Sequence, residues 1–184
     1  HDAMTEQRRG VTLIGMPGAG KSTVGVLLSK RLALDFVDSD LAIQVREGRT
    51  LQQLIDAEGH LRLREIEAAV LLGIDPLGRV VATGGSAVYS DEAMHHLAAG
   101  STIVYLDVAL AELRRRITDY DTRGIARRPE QSFEELFAER TRLYRRYAEL
   151  RIDCAGLGQE PLLDRIVAAL ISRGDSAAAR TASS

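Results

Sequence analysis

Gly15-Met-Pro-Gly-Ala-Gly20-Lys21-Ser22 narrows the folds open to this chain more than any other stretch, because it repeats the spacing G-x-x-x-x-G-K-S. An apolar run, Val11–Ile14, ends directly before it, and a helical pattern over 21–34 begins inside it. Glycines let a strand-to-helix turn close around an anion without Cβ clashes, so successive N–H groups point inward. The helix start adds partial positive charge. The spacing assigns Gly15, Gly18, Ala19, Gly20 and Thr23 to a nucleotide phosphate site. It places Lys21 on the β- and γ-phosphates and Ser22 on a magnesium ion. Of the 24 basic residues only Lys21 and Lys30 are lysines, and one of the two stands at the required position.

Short β-branched runs alternate with longer helical patterns along the rest of the chain. Strands are expected at 35–37, 79–82, 102–106 and 150–153, and helices at 50–57, 61–72, from Ser90, at 109–117, 132–148 and 161–172. Such alternation implies an α/β fold of three layers, a parallel sheet with helices on both faces. There is no internal repeat and no linker, so 4–172 reads as one domain. His1-Asp2-Ala3 ahead of Met4 reads as a remnant of an expression vector. The Ser-, Ala- and Arg-rich stretch 173–184 is expected to be a disordered tail.

A magnesium-organised phosphate site also needs a carboxylate at the end of a neighbouring strand. Phe36-Val37-Asp38-Ser39-Asp40 offers two, and in extended chain Asp38 and Asp40 face the same way. Two carboxylates set toward phosphates would repel without a cation between them; the alternative is a solvated turn with an Asp as N-cap of the next helix.

Three groups of arginines stand out. On a helix over 132–148, Phe133, Leu136, Phe137, Tyr144 and Tyr147 share one stripe with Arg140 at its centre, while Arg142, Arg145 and Arg146 face away. A charge on a core-facing stripe must be paired, reach the surface, or line a cavity that holds an anion. On the helix 61–72, Glu67 lies within the face of Leu63, Val70 and Leu71, and Arg64 flanks it. Either this is an ordinary surface ion pair, or one cleft holds an arginine and a carboxylate for a substrate with an anionic group and hydroxyls. Arg114, Arg115, Arg116, Arg123, Arg127 and Arg128 crowd 114–128, either as a solvated surface or as part of a lid, about 115–130, closing over a triphosphate.

Taken together, the phosphate turn, F-V-D-S-D, E-G-H-L-R-L-R-E-I-E, T-G-G-S-A-V and A-E-R-T-R-L-Y-R-R-Y resemble the shikimate kinase family, within the nucleoside-monophosphate-kinase-like P-loop NTPases. The resemblance spans Val11–Leu170. It implies a five-stranded parallel sheet, a helical substrate-binding region and an arginine-bearing lid. The implied reaction is MgATP-dependent phosphorylation of the 3-hydroxyl of shikimate, on the route to aromatic amino acids. By position it implies that Ser22 and Asp38 organise magnesium and that Asp40 binds the substrate hydroxyls and accepts the proton. Arg64 and Arg140 would hold the substrate carboxylate, with Glu67 supporting Arg64, and Gly84, Gly85 and Ser86 would approach the substrate. Arg123 would lie near the transferring phosphoryl, and Arg116 beside adenine with the loop ending at Gln159. Three positions depart from the family pattern. Ser86 stands where a third glycine is usual, Arg123 precedes Gly124-Ile125 instead of a proline, and the loop 155–159 has no basic residue.

Two further readings compete: a related P-loop kinase for another small hydroxylated acid, and a nucleotide-binding regulatory module without turnover. A net charge of −2 and 4% aromatic residues argue against nucleic acid as a partner. No apolar run reaches the ~20 residues of a membrane span. The lone Cys154 fits a reducing compartment and reads as a small buried residue at a strand end. A soluble cytoplasmic monomer is the expectation.

Overall fold

The computed structural model describes residues 8–117 and 124–174. Five parallel strands form one sheet: β1 (Gly10–Ile14), β2 (Asp35–Asp38), β3 (Arg79–Ala82), β4 (Ser101–Asp107) and β5 (Leu150–Asp153), in the order β2-β3-β1-β4-β5. The central strand β1 pairs through Val11 with Val80 on one side and Thr102 on the other. All five of its residues are buried, as expected where helices cover both faces of a parallel sheet.

The described residues form eight α-helices between and after the strands: α1 (Lys21–Leu32), α2 (Ser39–Glu47), α3 (Leu51–Glu58), α4 (His60–Leu72), α5 (Asp91–Gly100), α6 (Leu110–Arg116), α7 (Phe133–Tyr147) and α8 (Gln159–Arg173). The step from β1 to β2 runs one way across the sheet, and those from β2 to β3 and β3 to β4 run the other. Right-handed crossovers therefore put α1 on one face, where it meets α8, and α4, α5 and α7 on the opposite face. The main core lies between these layers. A smaller cluster of Ile43, Leu54, Leu63, Ile66 and Ala126 ties α2, α3 and α4 to residues beyond α6.

Local chemistry sets several boundaries. Ser90 caps α5 through Ala93 N, and Ser132 with Glu135 forms a capping box on α7. The expected helix over 21–34 stops at Leu32, where Ala33 turns left-handed. The sequence reading has no helix over 39–47, yet α2 occupies it. Its Leu41, Ile43 and Val45 alternate as strand residues would, and Leu41 and Val45 lie outward at 58% and 74% exposure. With two of three apolar residues in solvent, the period of 3.6 is hidden. Arg173 ends α8 and pairs with Glu149 at 2.7 Å, and Gly174 caps the helix, so both belong to the fold; residues 175–184 of the expected tail lie outside the described residues.

Candidate active site

The carboxyl ends of β1, β2 and β3 meet at one crevice, where open parallel sheets place their ligands. After β1 the chain enters the glycine turn. Gly20 caps α1 in a left-handed conformation (φ 91°) with open space where a Cβ would stand. Lys21 is buried, and its Nζ donates to the carbonyls of Gly15 at 2.6 Å and Met16 at 2.8 Å. Burial pulls its pKa down to about 8, against the opposing pull of Asp40.

Ser22 Oγ donates to Asp38 Oδ2 at 2.7 Å. The other oxygen, Asp38 Oδ1, accepts from the amides of Asp40 at 3.0 Å and Leu41 at 3.3 Å, capping α2. The expectation that Asp38 and Asp40 face one way in extended chain is therefore corrected. Asp38 ends β2, while Asp40 lies in the first turn of α2 and is carried to the cavity by the helix. Burial raises the Asp40 carboxyl above its ordinary pKa, with nearby Lys21 opposing. Ser22 and Asp38 offer two hard oxygens at the mouth of a phosphate turn. That set fits magnesium, which takes few protein ligands and completes its shell with phosphates and water. Among the described residues no three His, Cys, Asp or Glu side chains form a metal cluster, so an ion here must share its shell in this way.

A cavity of about 370 Å³ opens beside the turn, with Lys21, Ser22, Asp40, Glu67 and Arg140 on its walls. Arg140 is 1% exposed, as its place on the α7 stripe requires. Its Nη2 donates to Ala126 O at 2.7 Å, and its Nε has no partner. Arg142, Arg145 and Arg146 are exposed. Glu67, 2% exposed, accepts from the hydroxyl of Ser86 through Oε1, while Oε2 has no partner. Burial, reinforced by Asp40, pushes its carboxyl up to about 7.

The sign of that shift gives a stability prediction. A carboxyl that holds its proton more tightly in the fold stabilises the protein fully below its ordinary pKa of 4.5, and this contribution is lost as pH rises through about 7. Between pH 5 and 7.5 the Tm of the ligand-free wild type should therefore fall by several degrees relative to Glu67→Gln. Parallel curves from scanning calorimetry would contradict the assignment.

Gly84 and Gly85 close the site from below β3. A Cβ on Gly84 would overlap Glu67 Oε2 and come within 2.5 Å of Asp40 Oδ1, and one on Gly85 would meet Arg140 Nη1 at 2.6 Å. Gly84→Ala should cost about 1–3 kcal/mol by overpacking and push the two carboxyls out of place. Denaturant melts and turnover check both effects, and unchanged turnover would contradict this geometry.

Several expectations change. Glu67 does not support Arg64; it bonds Ser86, while Arg64 stacks 3.6 Å above the Tyr89 ring and lies 4.0 Å from Glu139. Arg64 is absent from the walls of the central cavity, and its Nε is buried without a partner. Arg114, Arg115 and Arg116 end the helix α6 and pair with Glu134 and Glu112. Arg127 and Arg128 are anchored by Gln131 O and Glu139. All five therefore have partners within the fold. Arg123 lies outside the described residues. Ile125 and Ala126, on the far arm of the expected lid, line the cavity, and Gly124 N bonds Gln52. Tyr89 and Glu139 escaped the sequence reading; Glu139 stands one step off the α7 stripe, beside Arg140.

Arg116 also donates to Gly18 O at 3.1 Å and borders a second cavity, about 400 Å³, with Val108, Ala109, Cys154 and 155–158. Gln159 begins α8 just beyond that wall and is exposed. Cys154 follows β5 and is buried, its thiol pushed up to about 11 by burial, as expected of a packing residue.

The family model described as "Shikimate kinase" matches residues 17–171. The chain belongs to the shikimate kinase family. It is 39% identical over 165 residues to a shikimate kinase of Halorhodospira halophila, covering 87% of this chain and 92% of that one. A shikimate kinase of Rhodococcus erythropolis is 36% identical over 161 residues, 86% and 95% of the two chains. Among solved structures, shikimate kinase from Acinetobacter baumannii in complex with shikimate superposes with a TM-score of 0.80 at 26% identity, covering 94% of this chain and 98% of that one. The Aquifex aeolicus enzyme gives 0.75 at 29%, covering 89% and 97%. Members of the family are ATP-dependent kinases, and the phosphate turn described above is the part of this chain that such chemistry requires.

Proposed function

We propose that this chain transfers the terminal phosphoryl group of ATP, bound with magnesium, to the 3-hydroxyl of shikimate, yielding ADP and shikimate 3-phosphate. Arg140 carries the reading. It is a buried guanidinium with an unpartnered Nε, on the wall of a cavity shared with Lys21 and Ser22. A buried cation with unmet donors beside a phosphate turn suits an acceptor that brings its own carboxylate.

In this reading the amides of the turn and Lys21 bind the β- and γ-phosphates. Ser22 and Asp38 would hold the magnesium ion, which when bound draws negative charge off the transferring group. Arg140, with Arg64, binds the acceptor carboxylate, and Gly84 and Gly85 let the ring approach closely. Asp40 accepts the proton of the 3-hydroxyl as its oxygen bonds to phosphorus and the bond to the β-phosphate oxygen breaks. A carboxyl raised by burial is a stronger base than one in water, which suits that task. Arg123 balances charge on the transferring phosphoryl, and Arg116 flanks adenine, with Gln159 at the edge. We assign the activity to a cytoplasmic monomer; no helix among the described residues is long and apolar enough to cross a membrane.

A coupled ADP-release assay with shikimate, quinate and gluconate tests the proposal. ADP formed from shikimate alone supports it. ADP from another acid but not shikimate would reassign the acceptor, and ATP binding without turnover on any acid would make the chain a regulatory module.

A further inference from the structure

Ser86 has a backbone that does not explain its presence. Its φ is −96°, ordinary for any residue, and it precedes a short 3-10 turn over Ala87–Tyr89. What distinguishes it is the side chain, 7% exposed, whose hydroxyl donates to Glu67 Oε1. That bond decides where the rest of the Glu67 carboxyl goes. Oε2 is turned to the point above Gly84 that Asp40 Oδ1 also crowds, and it is buried without a partner. A buried acceptor oxygen with no donor is a site waiting for one.

We propose that Ser86 is a specificity-determining residue, clamping Glu67 beside Asp40 so that the acceptor pocket presents two carboxyl groups to two neighbouring hydroxyls. Asp40 meets the hydroxyl that is phosphorylated, and Glu67 meets the one next to it. The proposal rests on the reading of this cavity as a shikimate site and adds to it a residue that acts through Glu67. The charged and titratable groups facing Glu67 are Asp40 from α2, Arg140 and Tyr144 from α7 and Lys21 from α1. Ser86 gives Glu67 a side-chain hydrogen bond, and that bond holds its carboxyl lower than burial alone would.

Two measurements on Ser86→Ala and Ser86→Gly test this. In the first, kcat and KM are determined for ATP, shikimate and the analogue lacking the hydroxyl on carbon 4. Loss of a hydrogen bond to a charged group corresponds to roughly a tenfold change. Both variants should raise KM for shikimate about that much, leave KM for ATP within about twofold, and lose the same factor of discrimination against the deoxy analogue. Equal effects on shikimate and the analogue, or on both substrates, would overturn the proposal. The second needs no substrate and so stands even if wild type does not turn over shikimate. The Tm deficit of Ser86→Ala should grow by several degrees from pH 5.5 to 8, as Glu67 ionises without its donor. A deficit independent of pH would reduce Ser86 to a space-filling residue, and the clamp would be wrong whatever the acceptor.

Discussion

Lys21→Ala will lower kcat by roughly a thousandfold while leaving the fold intact. Removing one preorganised donor from developing charge costs about 10²–10³ in rate, and Lys21 is the one lysine at this site. It is buried and held by two carbonyls of its own turn, so the ammonium is placed before phosphate arrives. Burial lowers its pKa to about 8, which is the cost of keeping a cation there. A bound triphosphate supplies the opposite charge and reverses that balance. Lys21→Arg should fail as well, since a planar fork does not replace a compact ammonium in a narrow turn. Single-turnover measurements of ADP formation give the comparison. Turnover within tenfold of wild type for Lys21→Ala would remove the phosphate turn from the mechanism.

Arg140→Met should separate function from stability in opposite directions. Truncating one partner of a buried, hydrogen-bonded charge pair costs about 2–5 kcal/mol, so KM for the acceptor should rise roughly 30- to 5000-fold with KM for ATP little changed. The same guanidinium is a buried charge whose Nε has no partner and whose Nη2 donates to Ala126 O. Replacing such a group by an apolar side chain of similar length is often neutral or stabilising. The Tm without ligand should therefore hold or rise. A fall in Tm with an unchanged acceptor KM would show Arg140 to be a structural residue. The contrast would also show that this cavity is built for a ligand at the expense of the empty fold.

The chain's own pattern was enough for much of this. A glycine turn between an apolar run and a helix has few alternatives, because only there do backbone amides, a helix start and a lysine converge on one anion. Arg140 was visible from periodicity, since a charge at the centre of an apolar stripe has no solvent to meet. Helix α2 was not visible, because Leu41 and Val45 lie in solvent and mask its period. Periodicity could not choose between the two readings of Arg114–Arg116, because the partner Glu134 of Arg114 is brought near only by packing against α7.

Residue order alone determined the strand–turn–helix of the glycine motif, the parallel α/β architecture and the inward arginine, because each follows from spacing or alternation along the chain. Tertiary structure decided which groups share the cavity. Glu67 could pair with Arg64 one turn away or with Ser86 nineteen residues on, and only the approach of the Gly84–Ser86 turn to α4 selected Ser86. Arg64 in turn found Tyr89 and Glu139. Contacts between distant segments depend on how whole layers pack, and no local period records that.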